Sequence, residues 1–259
     1  MHEWNSWVAL GDSFTEGMSD LAPDGRTYLG WADRLAAVMA KQRPGFQYAN
    51  LALRGKMLQE IIDEQVPRAI EARPDLVTIC GGGNDLVVPG GDVDALAAQF
   101  EQAVLALLEA VPDVLIITGP DPQAMPVVRR VRGKVAIYNG HLRAIADRHG
   151  VRMLDLWAMD VLRDQRAWCD DRLHFSAEGH RRIALRAAEV LDIEVDGDWR
   201  EPWPAEAPLP WISLRRNDLE WTWVYLLPWV RRQLRGESMG DGLAPKRPDL
   251  APLQADRHC

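Results

Sequence analysis

Short, continuously apolar segments alternate along this chain with longer segments in which apolar residues recur every three or four positions. The short segments are typical of strands covered on both faces, and the longer period is that of amphipathic helices. Strands are predicted at Trp7–Gly11, Tyr48–Leu53, Leu76–Cys80, Val114–Thr118 and Arg152–Leu156. Helices are predicted at about Gly30–Gln42, Lys56–Ala72, Val93–Ala110, Val127–Arg148 and Ala177–Leu191.

This alternation predicts an α/β fold, with a central parallel sheet of about five strands between two layers of helices. Parallel strands need crossover connections, and helices on both faces of the sheet provide them. Turn-forming pairs such as Pro44-Gly45 and Pro74-Asp75 mark the returns from helix to strand. Because sites in such sheets lie at the carboxyl ends of the strands, a functional site is expected at that edge of the sheet.

The pattern changes after the last predicted helix. Six of the eleven tryptophans lie in the final quarter of the chain, and proline is dense over Glu201–Pro210. We therefore expect a main domain over residues 1–194 and a Trp/Pro-rich extension over residues 195–259. The extension is expected to pack on the domain or to be partly mobile.

One helix is predicted inside the extension, at about Asp218–Arg235. Its apolar residues recur at helical spacing and its arginines lie off that face, so packing on the domain is the simplest interpretation. Self-association or contact with a membrane surface through this helix is the alternative. The last segment, Gly236–Cys259, is rich in glycine, proline and charge, and we expect it to be mobile or loosely draped.

Composition excludes several classes of function. The net charge of −8 leaves no basic surface for a nucleic-acid partner. Cys80, Cys169 and Cys259 follow no regular spacing, so neither a disulfide framework nor a zinc site is expected. No basic segment followed by an apolar run is visible at the start, and no segment is apolar enough to span a bilayer. We expect a cytoplasmic protein without a cofactor.

Four polar blocks lie at strand ends or just before the last predicted helix, which Ser176 could cap. Each block alone is more often a turn or a helix cap than a site. Their order and their placement at one edge of the sheet favour a single site instead. The blocks are Gly11-Asp12-Ser13, Asn50–Gly55, Gly82-Gly83-Asn84-Asp85 and Asp171-Arg172-Leu173-His174.

Together the blocks supply what acyl transfer needs. Ser13 offers a hydroxyl, His174 is the natural base for its proton, and Asp171 can orient the imidazole. An oxyanion can be bound by the N–H groups of Ser13 and Gly55 and by the Asn84 side-chain amide. No residue of this set requires a metal ion.

Two further acidic residues are expected to support the site without reacting. Asp12 precedes the nucleophile and would orient its turn through hydrogen bonds, and Asp85 would brace the Asn84 loop. Cys169 lies near the triad loop but has no separate base, so a cysteine nucleophile is disfavoured.

The four blocks resemble those of the GDSL/SGNH hydrolase family of serine esterases, over about residues 5–192. The resemblance implies a flavodoxin-like three-layer α/β/α sandwich and a triad of Ser13, His174 and Asp171. The tail resembles that of a cytoplasmic actinobacterial subgroup, with its Leu-Pro-Trp-Val helix and its Gly-Asp-Gly…Lys-Arg-Pro ending.

The chain departs from the family pattern at two positions. Phe175 stands where the family often has proline and could line the acyl pocket. Ala52 stands where many members have glycine, which leaves the geometry of the second block open. Four residues that follow the nucleophile could shape the pocket or simply belong to the core: Met18, Leu21, Tyr28 and Trp31.

The predicted function is hydrolysis of carboxylic esters through an acyl-Ser13 intermediate, with acetyl, short-chain or medium-chain acyl groups on small molecules, sugars included. Transfer of the acyl group to an alcohol would use the same triad. A metallophosphoesterase is disfavoured because the first block lacks an Asp-x-His pair and no His-x-His follows. Nucleotide binding is disfavoured because no Gly-x-Gly-x-x-Gly follows the first strand.

Overall fold

Six strands form one sheet in the part of the chain that the computed structural model describes, residues 4–205, 240 and 242–253 without 89, 126 and 127. The strands are β1 (Ser6–Leu10), β2 (Gln47–Asn50), β3 (Leu76–Ile79), β4 (Asp113–Ile117), β5 (Arg152–Leu154) and β6 (Arg247–Pro252). Their order across the sheet is β5-β4-β3-β1-β2-β6. The predicted parallel sheet of five strands is confirmed, since β1 to β5 pair in parallel.

Helices connect the parallel strands and cover both faces of the sheet. They are α1 (Ser13–Glu16), α2 (Gly30–Gln42), α3 (Leu58–Glu60), α4 (Val66–Ala72), α5 (Gly83–Val87), α6 (Val93–Ala110), α7 (Arg132–His149) and α8 (Ala177–Val190). A π-helical turn, Ile61–Gln65, joins α3 to α4. The bounds predicted for α2 and α6 are confirmed. Helix α7 begins later than predicted because Val128–Val131 forms a 3₁₀ turn.

The sheet separates two hydrophobic cores, which completes the predicted three-layer sandwich. Side chains of successive residues in a strand point to opposite faces. Trp7 and Ala9 of β1 therefore lie in the core beneath α2 and α8, whereas Val8 and Leu10 lie in the core beneath α4, α6 and α7. All four are at most 1% exposed. Burial of both faces explains why the strands read as continuously apolar segments.

Strand β6 corrects the prediction for the end of the chain. The expectation that Gly236–Cys259 is mobile or loosely draped was wrong for Arg247–Pro252, which pairs antiparallel with β2. Pro248 and Pro252 conceal the strand in the sequence, because proline lacks the N–H that a central strand needs. At the edge of the sheet, one side of the strand needs no hydrogen bonds, so prolines are tolerated there.

The helix predicted at Asp218–Arg235 lies outside the described residues. Within the described part of the chain, no helix combines the length and the apolar content needed to cross a lipid bilayer.

Candidate active site

The turn after β1 places Ser13 at the carboxyl edge of the sheet. Asp12 caps α1, and its Oδ1 accepts a hydrogen bond from the Phe14 N–H at 3.0 Å. Gly11 has a φ of 154°, and a Cβ there would lie 2.7 Å from Thr15 Oγ1 and 2.8 Å from the Cys80 carbonyl oxygen. A side chain at this position would displace the turn, so the glycine is needed.

The side chain of Gln65 fixes the backbone of this turn through two hydrogen bonds. Its amide donates to the Gly11 carbonyl oxygen at 2.9 Å, and its Oε1 accepts from the Gly11 N–H at 2.8 Å. Gln65 ends the π-helical turn, an irregularity that is frequent at functional sites. This residue was not predicted from the sequence. The available signal was a polar side chain at helical spacing between Ile61 and Ala69, both of which are buried.

The structure brings together the three residues predicted for the triad. His174 Nε2 lies 3.0 Å from Ser13 Oγ, and His174 Nδ1 lies 2.6 Å from Asp171 Oδ2. The Asp171 Oδ1 also accepts the backbone N–H groups of Leu173 and His174, each at 2.9 Å. Helix α8 begins directly after this loop, and Ser176 caps it as predicted by accepting the Gly179 N–H. An imidazole held this way can take the hydroxyl proton of Ser13.

Cys169 is a second partner of Asp171. Its thiol donates to Asp171 Oδ1 at 2.7 Å. Burial, together with the neighbouring carboxylate, raises the pKa of Cys169 to about 12, so this residue is a hydrogen-bond donor rather than a nucleophile. Burial also tends to raise the pKa of Asp171, but the hydrogen bond and charge of His174 outweigh it and lower that pKa to about 2. Asp171 therefore stays ionised at neutral pH.

The candidate oxyanion donors face one cavity, which Ser13, Gly55 and Asn84 all line. Asn84 Nδ2 donates to the Lys56 carbonyl oxygen at 2.9 Å. This bond fixes the amide beside Gly55, and the second proton on Nδ2 can bind an oxyanion.

Two carboxylates brace the loops that carry these donors. Asp85 Oδ2 accepts the Leu58 N–H at 3.0 Å, which ties α5 to the start of α3. Glu16 of α1 accepts the Arg54 backbone N–H at 2.8 Å and pairs with its guanidinium. Helix α1, which begins with Ser13, therefore fixes the position of Arg54, the residue before Gly55. The role of Asp85 was predicted from the sequence. The Glu16–Arg54 pair was not, because it joins residues far apart in the sequence.

A family model shows the family to which this chain belongs. The model of the GDSL-like lipase/acylhydrolase family matches residues 9–182, about two thirds of the chain. The chain belongs to this family. It is a carboxylic ester hydrolase.

Solved structures show the same fold. The crystal structure of Axe2, an acetylxylan esterase from Geobacillus stearothermophilus, matches with a TM-score of 0.60 at 19% identity, over 76% of this chain and 96% of that one. LAE5, an alpha/beta hydrolase enzyme from the metagenome of Lake Arreo, Spain, matches with a TM-score of 0.61 at 19% identity, over 72% of this chain and 94% of that one. The search of curated proteins found no match.

The cavity of this hydrolase has a volume of about 170 Å³. Ser13, Asn84 and His174 form part of its wall, and most of the remaining wall is apolar. The apolar residues include Phe14, Leu86, Val87, Met125, Val128 and Leu173. No group of three or more His, Cys, Asp or Glu side chains in the described ranges is arranged to hold a metal ion.

Phe175 does not line this cavity, contrary to the sequence-based expectation. It is fully buried and packs against Phe14 and Trp168, which do line it. The side chain of Phe175 therefore contacts residues of the cavity wall without reaching the cavity itself. The four other pocket candidates, Met18, Leu21, Tyr28 and Trp31, are also absent from the described wall. Trp31 belongs to the core, whereas Leu21 is 58% exposed.

Asp12 is expected to destabilise the hydrolase as it ionises. Burial raises its pKa to about 6, against the opposing effects of the Phe14 N–H and the charge of His174. When the pKa of a carboxyl group is higher in the folded state than in the unfolded state, the protein loses stability as pH rises from the unfolded pKa through the folded pKa. Asp12→Asn keeps the capping oxygen without the charge. Its gain in free energy of unfolding over wild type should grow by about 1 to 3 kcal/mol between about pH 4 and about pH 8.

Urea denaturation at both pH values measures this gain, and Asp24→Asn is the control. Hydrogen bonds from the Thr27 and Arg26 backbone hold the pKa of Asp24 below its ordinary value, so Asp24 is already ionised at both pH values and its substitution should change stability almost equally at the two. A gain for Asp12→Asn that does not vary with pH would show that Asp12 ionises as an ordinary carboxyl group.

Proposed function

We propose that this hydrolase cleaves carboxylic esters of short- to medium-chain acids through an acyl-Ser13 intermediate. The observation that carries the proposal is the imidazole of His174, which lies between Ser13 Oγ and Asp171 Oδ2 at the wall of a largely apolar cavity.

The reaction follows from this arrangement in two halves. His174 Nε2 takes the proton of Ser13 as Oγ attacks the ester carbonyl, and Asp171 stabilises the imidazolium that forms. The N–H groups of Ser13 and Gly55 and the Asn84 amide bind the oxyanion, and each such donor lowers the barrier by about 3 kcal/mol. The imidazolium then protonates the leaving alcohol. In the second half, His174 deprotonates water, which attacks the acyl carbonyl and releases the acid and Ser13.

The volume of the cavity favours an acyl chain longer than acetyl. About 10 to 15 Å³ of such volume holds one water molecule, so the methyl of an acetyl group would fill a small part of it. Each methylene transferred from water into an apolar cavity contributes about 0.8 kcal/mol. Longer acyl chains should therefore gain binding energy until the cavity is full.

A series of p-nitrophenyl esters from acetate to decanoate tests this prediction. We expect kcat/KM to rise by up to about fourfold per added methylene and to peak at hexanoate or octanoate. Val128→Phe narrows the cavity and should reduce turnover of octanoate more than turnover of acetate. An optimum at acetate in both proteins would contradict the medium-chain proposal.

The alternative in that case is deacetylation of a sugar, the kind of ester named for Axe2. Acetylated xylo-oligosaccharides would then be hydrolysed faster than p-nitrophenyl octanoate. Addition of an acceptor alcohol to the same assay shows, from the products, whether the acyl group passes to water or to the alcohol.

A further inference from the structure

Lys246 brings the C-terminal segment into contact with the helix of Ser13. Its side chain is 13% exposed and lies just before β6. Its Nζ donates to the carbonyl oxygens of Glu16, Tyr28 and Leu29 at 2.6, 2.9 and 2.8 Å, and lies 3.1 Å from Asp33 Oδ2. All three ammonium protons therefore have acceptors, and a carboxylate balances the charge. Burial of a lysine is costly without such partners, so this contact is specific.

The contact with Glu16 completes a very short helix. Helix α1 has four residues, and the last carbonyl groups of a helix have no partner within it. Lys246 binds the Glu16 carbonyl oxygen, and Asn50 Nδ2 binds that of Thr15 at 2.9 Å. The end of the helix that begins with Ser13 is therefore held by side chains from β2 and from the C-terminal segment.

The same lysine joins α1 to α2 where the two helices meet. A Cβ on Gly17 would lie 2.5 Å from the Gly30 Cα, and a Cβ on Gly30 would lie 2.3 Å from the Gly17 Cα. The other two carbonyl groups bound by Lys246 belong to Tyr28 and Leu29, directly before Gly30. Lys246 thus bridges the two chain segments at their closest approach.

Glu16 extends this link to the loop of Gly55. Its carbonyl oxygen is bound by Lys246, and its carboxylate accepts the Arg54 backbone N–H. A shift of Glu16 would therefore move Ser13, three residues before it, and Gly55, next to Arg54.

We propose that Lys246 is a positioning residue of the esterase site, which fixes α1 and, through Glu16, the Gly55 loop. The inference rests on the proposed function. It assigns a role to the Gly-Asp-Gly…Lys-Arg-Pro segment, which the triad does not explain. Lys246 is absent from the described wall of the cavity, so it acts on the geometry of Ser13 and Gly55 rather than on the substrate.

Lys246→Met tests this role because it keeps most of the aliphatic side chain and removes the ammonium group. We expect kcat for the best p-nitrophenyl ester to fall by between about tenfold and a hundredfold, with KM nearly unchanged. Labelling of Ser13 by a fluorophosphonate should slow in parallel. Both rates are expressed per folded molecule, with the folded fraction measured by circular dichroism.

Arg68→Met is the matched control. Arg68 Nη2 donates to the Pro248 carbonyl oxygen at 2.7 Å, so its loss weakens the attachment of β6 without removing a contact of α1. We expect wild-type kcat in this variant. An equal fall of kcat in both variants would assign the effect to attachment of the strand and overturn the role of Lys246.

If Lys246→Met does not fold, the same measurements are made on Lys246→Arg. A planar guanidinium cannot direct its protons at three convergent carbonyl groups as an ammonium does, so kcat should fall several-fold at constant KM. Wild-type kcat per folded molecule in either variant would overturn the inference and leave the esterase proposal intact. A wild-type protein that neither hydrolyses esters nor labels at Ser13 would overturn both.

Discussion

Replacement of Ser13 by alanine is expected to lower kcat by about six orders of magnitude, while KM changes little. The hydroxyl is the atom that attacks the ester, and no neighbouring group can replace it. Cys80 also lines the cavity, but desolvation raises the pKa of its thiol well above the usual value, and the thiol of Cys169 donates a hydrogen bond to Asp171. The measurement is steady-state hydrolysis of the best p-nitrophenyl ester, together with mass spectrometry of the fluorophosphonate-labelled peptide.

Two further variants sharpen this prediction. Residues that act as a unit are not additive, so Ser13→Ala with His174→Ala should be about as slow as either single variant. His141→Ala is the control variant. His141 is partly exposed, pairs with Asp94 and is absent from the described wall of the cavity. The nucleophile is not Ser13 if Ser13→Ala retains more than about a thousandth of wild-type kcat.

Asp171→Asn is expected to lower kcat by about four orders of magnitude in a folded protein. An asparagine can still occupy the space, but it carries no charge to stabilise the imidazolium and can hold His174 in the wrong tautomer. The pKa of Asp171, lowered to about 2, means that wild type keeps this charge throughout the ordinary assay range. The rate is measured from about pH 5 to about pH 9, and the loss should persist across that range.

Asp170→Asn is the matched control for this substitution. Asp170 is the preceding residue and is exposed, so its charge lies outside the triad. We expect wild-type kcat in Asp170→Asn and an unchanged circular dichroism spectrum in both variants. Similar rates for the two variants would remove Asp171 from the mechanism and leave His174 to act without an orienting carboxylate.

Local patterns predicted most of the sheet and most of the helices around it. Apolar segments and helical periodicity depend on neighbours close in sequence, so β1 to β5 and helices such as α2 and α6 could be located directly. Because parallel strands end at one edge of the sheet, the order of the blocks also predicted that Ser13, Asn84 and His174 would lie near one another.

Contacts between distant residues could not be predicted in this way. Gln65 binds Gly11 from 54 residues away, and Lys246 binds Glu16 from 230 residues away. A polar residue in a helix or a lysine near the end of a chain has the same local pattern whether it is solvated or buried. Only the tertiary structure shows which acceptors surround it.

The sequence by itself determined the layers of the fold, the family pattern and the residue types that could perform ester hydrolysis, because these depend on local periodicity and on the ends of strands. The tertiary structure alone decided how that chemistry is held in place. It revealed the apolar wall of the cavity, the thiol of Cys169 on Asp171, and the edge strand β6 that carries Lys246 to α1. Each of these depends on packing between distant segments, and the hydrophobic pattern of a segment does not show which other segment it will contact.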